Sequence, residues 1–198
     1  MTTARRPLRT SVPAVAAVAC VAAAALAAAL LPRRLTRVEV AGESMTPELM
    51  PGDFLVLWSG APSDTEAYGR IVATRDPRSA TDDAPLLLKR VVGLPGEALR
   101  IGGGVQVNGR YLLEPYAHGQ DPTGQHRGVQ RLAEASYFLL GDNRAASTDG
   151  RDFGPTGRDR IIGTAVWRYW PPERFGRLRR PPRRFLGLRE DEATAPSA

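Results

Sequence analysis

A single lysine stands among 26 arginines in this chain of 198 residues, inside the apolar run Leu86-Leu87-Leu88-Lys89-Arg90-Val91-Val92. Arginine keeps its proton in proteins, whereas a desolvated lysine gives it up, so Lys89 is the one cationic side chain here able to serve as a base. A base needs a nucleophile. A serine hydroxyl could be one, since a neutral amine can take its proton, and Ser44 in Gly42-Glu43-Ser44-Met45-Thr46-Pro47-Glu48-Leu49 is a serine on offer. Each element also has a plainer reading. Ser44 before an x-Pro turn could be a local hydrogen-bonding residue, and Lys89 an edge-strand side chain reaching past its neighbours to water. A third element, Gly141-Asp142-Asn143-Arg144-Ala145-Ala146-Ser147-Thr148-Asp149-Gly150-Arg151, could be a solvated turn. Its density argues for more: carboxylates at Asp142 and Asp149, guanidiniums at Arg144 and Arg151 and hydroxyls at Ser147 and Thr148 can pair internally between two apolar segments.

Other chemistries find little support. His118 and His126 fall in a Gly/Gln-rich loop without spacing for a metal or a Ser-His-Asp triad, and no Cys/His/Asp cluster suggests a metal site. Gly102-Gly103-Gly104 lies between two strand-like segments and opens no helix, so it reads as a turn and not as a phosphate cradle. No cofactor is expected. Net charge is +6, with arginines thickening towards the C-terminus, which suits an anionic surface. Nucleic acid is not the expected partner, because the basic stretch lacks aromatic stacking repeats, zinc-ligand spacing and a helix-turn-helix pattern. Cys20 is the only cysteine, so no intrachain disulfide can form and the redox compartment stays open.

These residues are carried by short apolar segments broken by Gly and Pro, at 38–40, 54–58, 70–74, 86–92, 98–101, 105–107, 136–140 and 163–169. They predict a mostly β domain over 38–171, of packed antiparallel sheets or a partial barrel, with Asn108-Gly109 as the strongest hairpin signal. Residues 59–68, 75–85 and 116–129 read as surface loops. Residues 172–198, rich in Arg and Pro, read as a disordered tail, and everything beyond Trp170 is expected to be dispensable for catalysis. Before the domain, a basic segment at 1–10 precedes 21 uncharged residues at 11–31, long enough to span a bilayer as one transmembrane helix. A cleavable signal sequence is the rival reading. Against it, the run ends in Leu30-Leu31-Pro32-Arg33-Arg34 without a small-x-small site. Arg5, Arg6 and Arg9 before the run balance Arg33, Arg34 and Arg37 after it, so charge leaves the orientation undecided.

Taken together, in order and spacing, the three polar elements resemble the signal peptidase I family, Ser-Lys serine proteases, over roughly 38–171. The family's Ser-Met-x-Pro-x-Leu, Lys-Arg-Val-Val-Gly-Leu-Pro-Gly-Asp and Gly-Asp-Asn-Arg-x-x-Ser-x-Asp-Ser-Arg stretches are all recognisable. The resemblance implies Ser44 as nucleophile, Lys89 as general base and Ser147 as the hydroxyl that orients the amine. It also implies that Asp142, Asp149 and Arg151 brace the loop, and that Met45, Pro47, Arg90, Gly141, Asn143 and Arg144 are motif positions. Departures are Glu48 for Thr, Glu97 and Arg70 for Asp, and Gly150 for Ser. Gly42 stands where some relatives place an oxyanion-binding serine and offers only backbone, which leaves main-chain amides such as that of Ser44.

The implied activity is removal of signal peptides from exported preproteins by an enzyme held in membrane lipid, its catalytic domain on the outer face of the plasma membrane. About a dozen residues separate Leu31 from Ser44, so an extended link keeps the nucleophile within roughly 45 Å of the bilayer. Two alternatives remain at this level: a maturase of the same Ser-Lys kind dedicated to one substrate, and a non-catalytic, membrane-tethered β domain that binds a partner.

Overall fold

The computed structural model describes residues 34–79, 81, 84–119 and 127–186, with Ala16, Cys20 and Val21 as isolated positions before them. The rest of the expected span 11–31 lies outside the described residues, as does His126. Among the described residues no helix is long and apolar enough to cross a membrane.

The strands, in chain order, are β1 (Leu35–Glu39), β2 (Phe54–Ser59), β3 (Ile71–Arg75), β4 (Leu86–Gly93), β5 (Ala98–Ile101), β6 (Val105–Val107) and β7 (Arg110–Leu113). They continue with β8 (Arg127–Arg131), β9 (Ser136–Leu140), β10 (Thr156–Gly157), β11 (Ile161–Trp170), β12 (Gly176–Arg177) and β13 (Arg184–Phe185). Two four-residue helices interrupt them, α1 (Asp64–Ala67) and α2 (Gly150–Phe153). Eight strands make one sheet in the order β1-β2-β11-β3-β4-β9-β10, with β12 added beside β11; five make a second, β13-β7-β6-β5-β8. β11 pairs with β2 and β3, β3 with β4, and β4 with β9, all antiparallel.

Alternation explains β2, which sends Leu55 and Leu57 inward from Phe54-Leu55-Val56-Leu57-Trp58-Ser59. The centre of the sheet is covered on both faces: β3 and β9 are buried along almost their whole lengths, which is why they read as continuous apolar runs. One core, of Met45, Leu49, Leu55, Leu57 and Ile71 among others, lies beneath the β1–β2 connection; another, around Val92, Leu99, Val107 and Phe138, joins the second sheet to the first. Each of these larger side chains contributes about 1.5–3 kcal/mol by leaving water.

Each of the eight expected apolar segments overlaps a strand, with Val40 and Arg70 just outside, and the Asn108-Gly109 signal is a hairpin turn between β6 and β7, both residues at positive φ. Two expectations need correction. Residues 127–129, expected in a loop, belong to β8, which pairs along the edge of the second sheet with β5. The described part of the tail, residues 171–186, is folded. It turns at Pro172–Arg174, pairs Gly176–Arg177 with β11 and Arg184–Phe185 with β7, and buries Leu178. Its arginines find acceptors inside the fold: Arg183 makes a two-point bond to Glu97 at 2.7 and 2.8 Å, and Arg174 reaches Asp53 at 2.9 Å.

Candidate active site

Ser44 sits in the connection from β1 to β2, and its neighbours pin it. Met45 and Leu49 have no exposed surface and anchor the turn in the core, while Leu49 N–H donates to the Met45 carbonyl at 2.8 Å and Thr46 N–H to that of Glu43 at 3.1 Å. From the other side, the Asn143 amide donates to the Ser44 carbonyl at 3.0 Å, and its side chain reaches the Glu43 carbonyl and Thr46 Oγ1 at 3.3 and 3.2 Å.

Lys89 lies on β4, opposite Val72 of β3, and is 2% exposed. Its Nζ donates to Ser44 Oγ at 2.7 Å and to the Leu88 carbonyl at 3.0 Å. Burial pushes the amine down from 10.5 to about 8, against the pull of the Asp149 and Asp142 carboxylates. When the proton has gone, the same contact reverses: the amine lone pair accepts from the serine hydroxyl.

The third element wraps behind this pair. Asp142 takes a two-point bond from Arg90 at 2.7 and 2.5 Å, with both side chains almost wholly buried, and Arg90 also donates to the Gly69 carbonyl at 2.7 Å. Asp149 caps α2 and accepts from the Gly141 amide at 2.9 Å and from the Arg151 guanidinium at 2.9 and 3.0 Å. Burial alone would raise the Asp149 carboxyl; Arg151 and the Gly141 amide outweigh it and hold it below the ordinary carboxylate value. Arg151 further donates to the Arg144 and Ser147 carbonyls. Gly150, one of the departures noted in the sequence, has no room for a side chain: a Cβ there would lie 2.7 Å from the Leu139 carbonyl oxygen.

Ser147 departs from its expected role in one respect. Its Oγ is buried beside Gly141 and makes no hydrogen bond, to Lys89 or to any other described group. Two contributors were invisible in the sequence. The His118 backbone donates to the Asp142 carbonyl and accepts from the Arg144 amide, both at 2.7 Å. Glu114 holds the Arg144 guanidinium at 2.6 and 3.0 Å. The first contact uses only main chain and no sequence pattern announces it; a lone carboxylate before Pro115 gave no sign of the second.

Gly141 is the tightest point. A Cβ there would lie 2.6 Å from the Ser44 carbonyl oxygen and 2.5 Å from Ser147 Cβ. Gly141→Ala is therefore expected to lose about 1–3 kcal/mol of stability and to displace Ser44. Thermal melting and peptide cleavage by the purified variant check this, and unchanged values for both would show the contact to be loose.

In front of the pair opens a cleft of about 170 Å³, lined by residues 38–42, Ser44, Met45 and 86–89. β1 is an edge strand, and residues 86–89 precede the part of β4 that pairs with β9, so two lengths of backbone face the cleft. Nothing lies within 4 Å of where a Gly42 side chain would begin.

A serine hydroxyl held against a buried amine that deprotonates near pH 8, at the floor of an open cleft in an antiparallel fold, has the parts of a serine hydrolase with lysine in place of histidine. The chain belongs to the family described as signal peptidase, peptidase S26, whose model matches residues 13–170, and it is a serine endopeptidase of that family. It is similar to signal peptidase I of Leptolyngbya laminosa, 36% identical over 149 residues covering 72% of each chain. With signal peptidase I of Bacillus caldolyticus it shares 30% over 149 residues, 69% of this chain and 80% of the other. A crystal structure of a signal peptidase I from Enterococcus faecalis aligns with a TM-score of 0.42 and 26% identity, over 52% of this chain and 96% of that one.

Proposed function

We propose that this protein removes N-terminal signal peptides from exported preproteins, with Ser44 as nucleophile and Lys89 as general base. The observation that carries the reading is the 2.7 Å contact between a buried Lys89 Nζ and Ser44 Oγ. Substrate enters the cleft as an extended strand between residues 38–42 and 86–88, where both backbone edges can pair with it. Neutral Lys89 takes the Ser44 proton as Oγ attacks the scissile carbonyl, and the ammonium so formed gives that proton to the leaving amine. Water, deprotonated in turn by Lys89, releases the acyl-enzyme. The main-chain amide of Ser44, with the open space beside Gly42, serves the developing oxyanion.

The uncharged run 11–31 supports a single-pass anchor in the plasma membrane, with residues 38–171 as the protease domain on the extracytoplasmic face. The test is processing of a preprotein by detergent-solubilised full-length protein, with the product mass fixing the scissile bond. Wild type is expected to release the mature chain and Ser44→Ala to leave the preprotein intact; cleavage by Ser44→Ala at the same bond would overturn the reading.

A further inference from the structure

The turn that carries Ser44 is gripped at its far end by two guanidiniums from much later in the chain. Arg168, on β11, donates to the Glu48 carbonyl at 2.7 Å and to Asp53 at 3.3 Å, and its Nε to the Arg174 carbonyl at 2.5 Å. Arg174, in the turn after β11, donates to Asp53 Oδ1 at 2.9 Å and to the carbonyls of Pro47 and Glu48 at 3.2 and 3.0 Å. Asp53 is 1% exposed, and its other oxygen accepts from the Met50 amide at 2.9 Å, closing the same turn. Behind Arg174, Leu178 is buried in the core that also holds Met45 and Leu49. Asn143 therefore holds the Ser44 end of the turn while Arg174 and Arg168 hold the Asp53 end.

Resting on Ser44 as nucleophile, we propose that Arg174 is a positioning residue for the reaction. Its bridge from Asp53 to the Pro47 and Glu48 carbonyls keeps Ser44 Oγ in register with Lys89 Nζ, which makes residues 171–178 part of the catalytic unit. This replaces the expectation that everything beyond Trp170 is dispensable. One planar guanidinium meets a carboxylate and two carbonyls at once, a geometry that an ammonium cannot reproduce. Asp53, buried at the inner end of this bridge, would also lose a charge-assisted bond and be left with Arg168 as its one guanidinium partner, so the turn would shift to re-pair it.

The test compares full-length wild type, Arg174→Gln, Arg174→Lys and Ser44→Ala in detergent, on a synthetic peptide spanning the bond cleaved in the preprotein, well below each melting temperature. Arg174→Gln is expected to lower kcat by about 10–100-fold with KM nearly unchanged, because a small misplacement of the nucleophile acts on the chemical step. Its acid limb should move to higher pH, since a loosened turn admits water to Lys89; the charges facing that amine, Asp149, Asp142, Arg151 and Asp76, are unaltered. Arg174→Lys should fail to restore kcat. A folded Arg174→Gln with lowered melting but wild-type kcat and acid limb would make Arg174 merely structural and overturn the proposal. If the glutamine variant does not fold, wild-type kcat in Arg174→Lys overturns it equally. Activity in Ser44→Ala would instead sink the underlying functional reading, so the two failures are distinguishable.

Discussion

Lys89→Arg and Lys89→Met are both expected to cleave preprotein 10²–10⁴-fold more slowly than wild type, the usual worth of general-base assistance. The pair separates charge from basicity: arginine keeps the positive charge and cannot lose it, methionine keeps the length and has none. If Lys89 served only as a cation, arginine would largely substitute. The wild-type pH profile gives the matching sign. The active form is the neutral amine, and burial brings its pKa down to about 8. Activity should therefore fall about tenfold per unit below pH 8 and level off above it, whereas an unperturbed lysine would leave it climbing towards 10.5. Stability moves in the same direction, over a higher range of pH. Below pH 8 the folded and unfolded states both hold the proton, and the fold bears the cost of a buried ammonium; between 8 and 10.5 the unfolded state holds more protons, so stability rises with pH. Lys89→Met should consequently be nearly inactive yet more stable at pH 7, by about 3 kcal/mol, the worth of a fall from 10.5 to about 8 at about 1.36 kcal/mol per pH unit. Near-normal turnover by Lys89→Arg would remove Lys89 from the mechanism.

Arg90→Met is expected to cost about 3–5 kcal/mol in urea unfolding, because it strands the Asp142 carboxylate where water does not reach. The same change also frees the Gly69 carbonyl and uncovers the Tyr116 ring, over which the guanidinium lies at 4.4 Å. The double variant Arg90→Met with Asp142→Leu should regain most of that loss, since neither charge is then buried alone. A single-variant cost under about 1 kcal/mol, the size typical of solvent-exposed pairs, would show that solvent reaches this one.

The sequence made the dyad legible because its two members break local rules in opposite ways. Lys89 violates an apolar strand and is the only lysine, while Ser44 opens a turn whose flanking Met45 and Leu49 are plainly core. The sheet was legible for a related reason: buried strands leave long apolar runs, and Gly and Pro mark their ends. What could not be read depends on partners far apart in the chain. β8 is Arg127-Gly128-Val129-Gln130-Arg131, a polar edge strand whose order comes from its neighbour β5 and not from its own pattern. The Arg/Pro-rich tail looked disordered because composition counts charges without counting acceptors; Asp53 and Glu97 supply those acceptors from 121 and 86 residues away. Ser147 carries the converse lesson, a motif position whose hydroxyl is buried and yet bonds to nothing described.

The place of β11 in the larger sheet also governs when the enzyme comes into being. β11 lies between β2, which follows the Ser44 turn, and β3, which leads to β4 and Lys89, so the two halves of the dyad are joined through a strand made after both. A nascent chain that has emerged from the ribosome only as far as the β9 loop already contains the serine, the lysine and the bracing aspartates. It still lacks the strand that would bring β2 and β3 together. A chain ended before β11 is therefore expected to cleave no peptide although it holds every residue of the dyad and of the loop behind it, and cleavage by such a truncated chain would show that the β9 loop alone sets the pair.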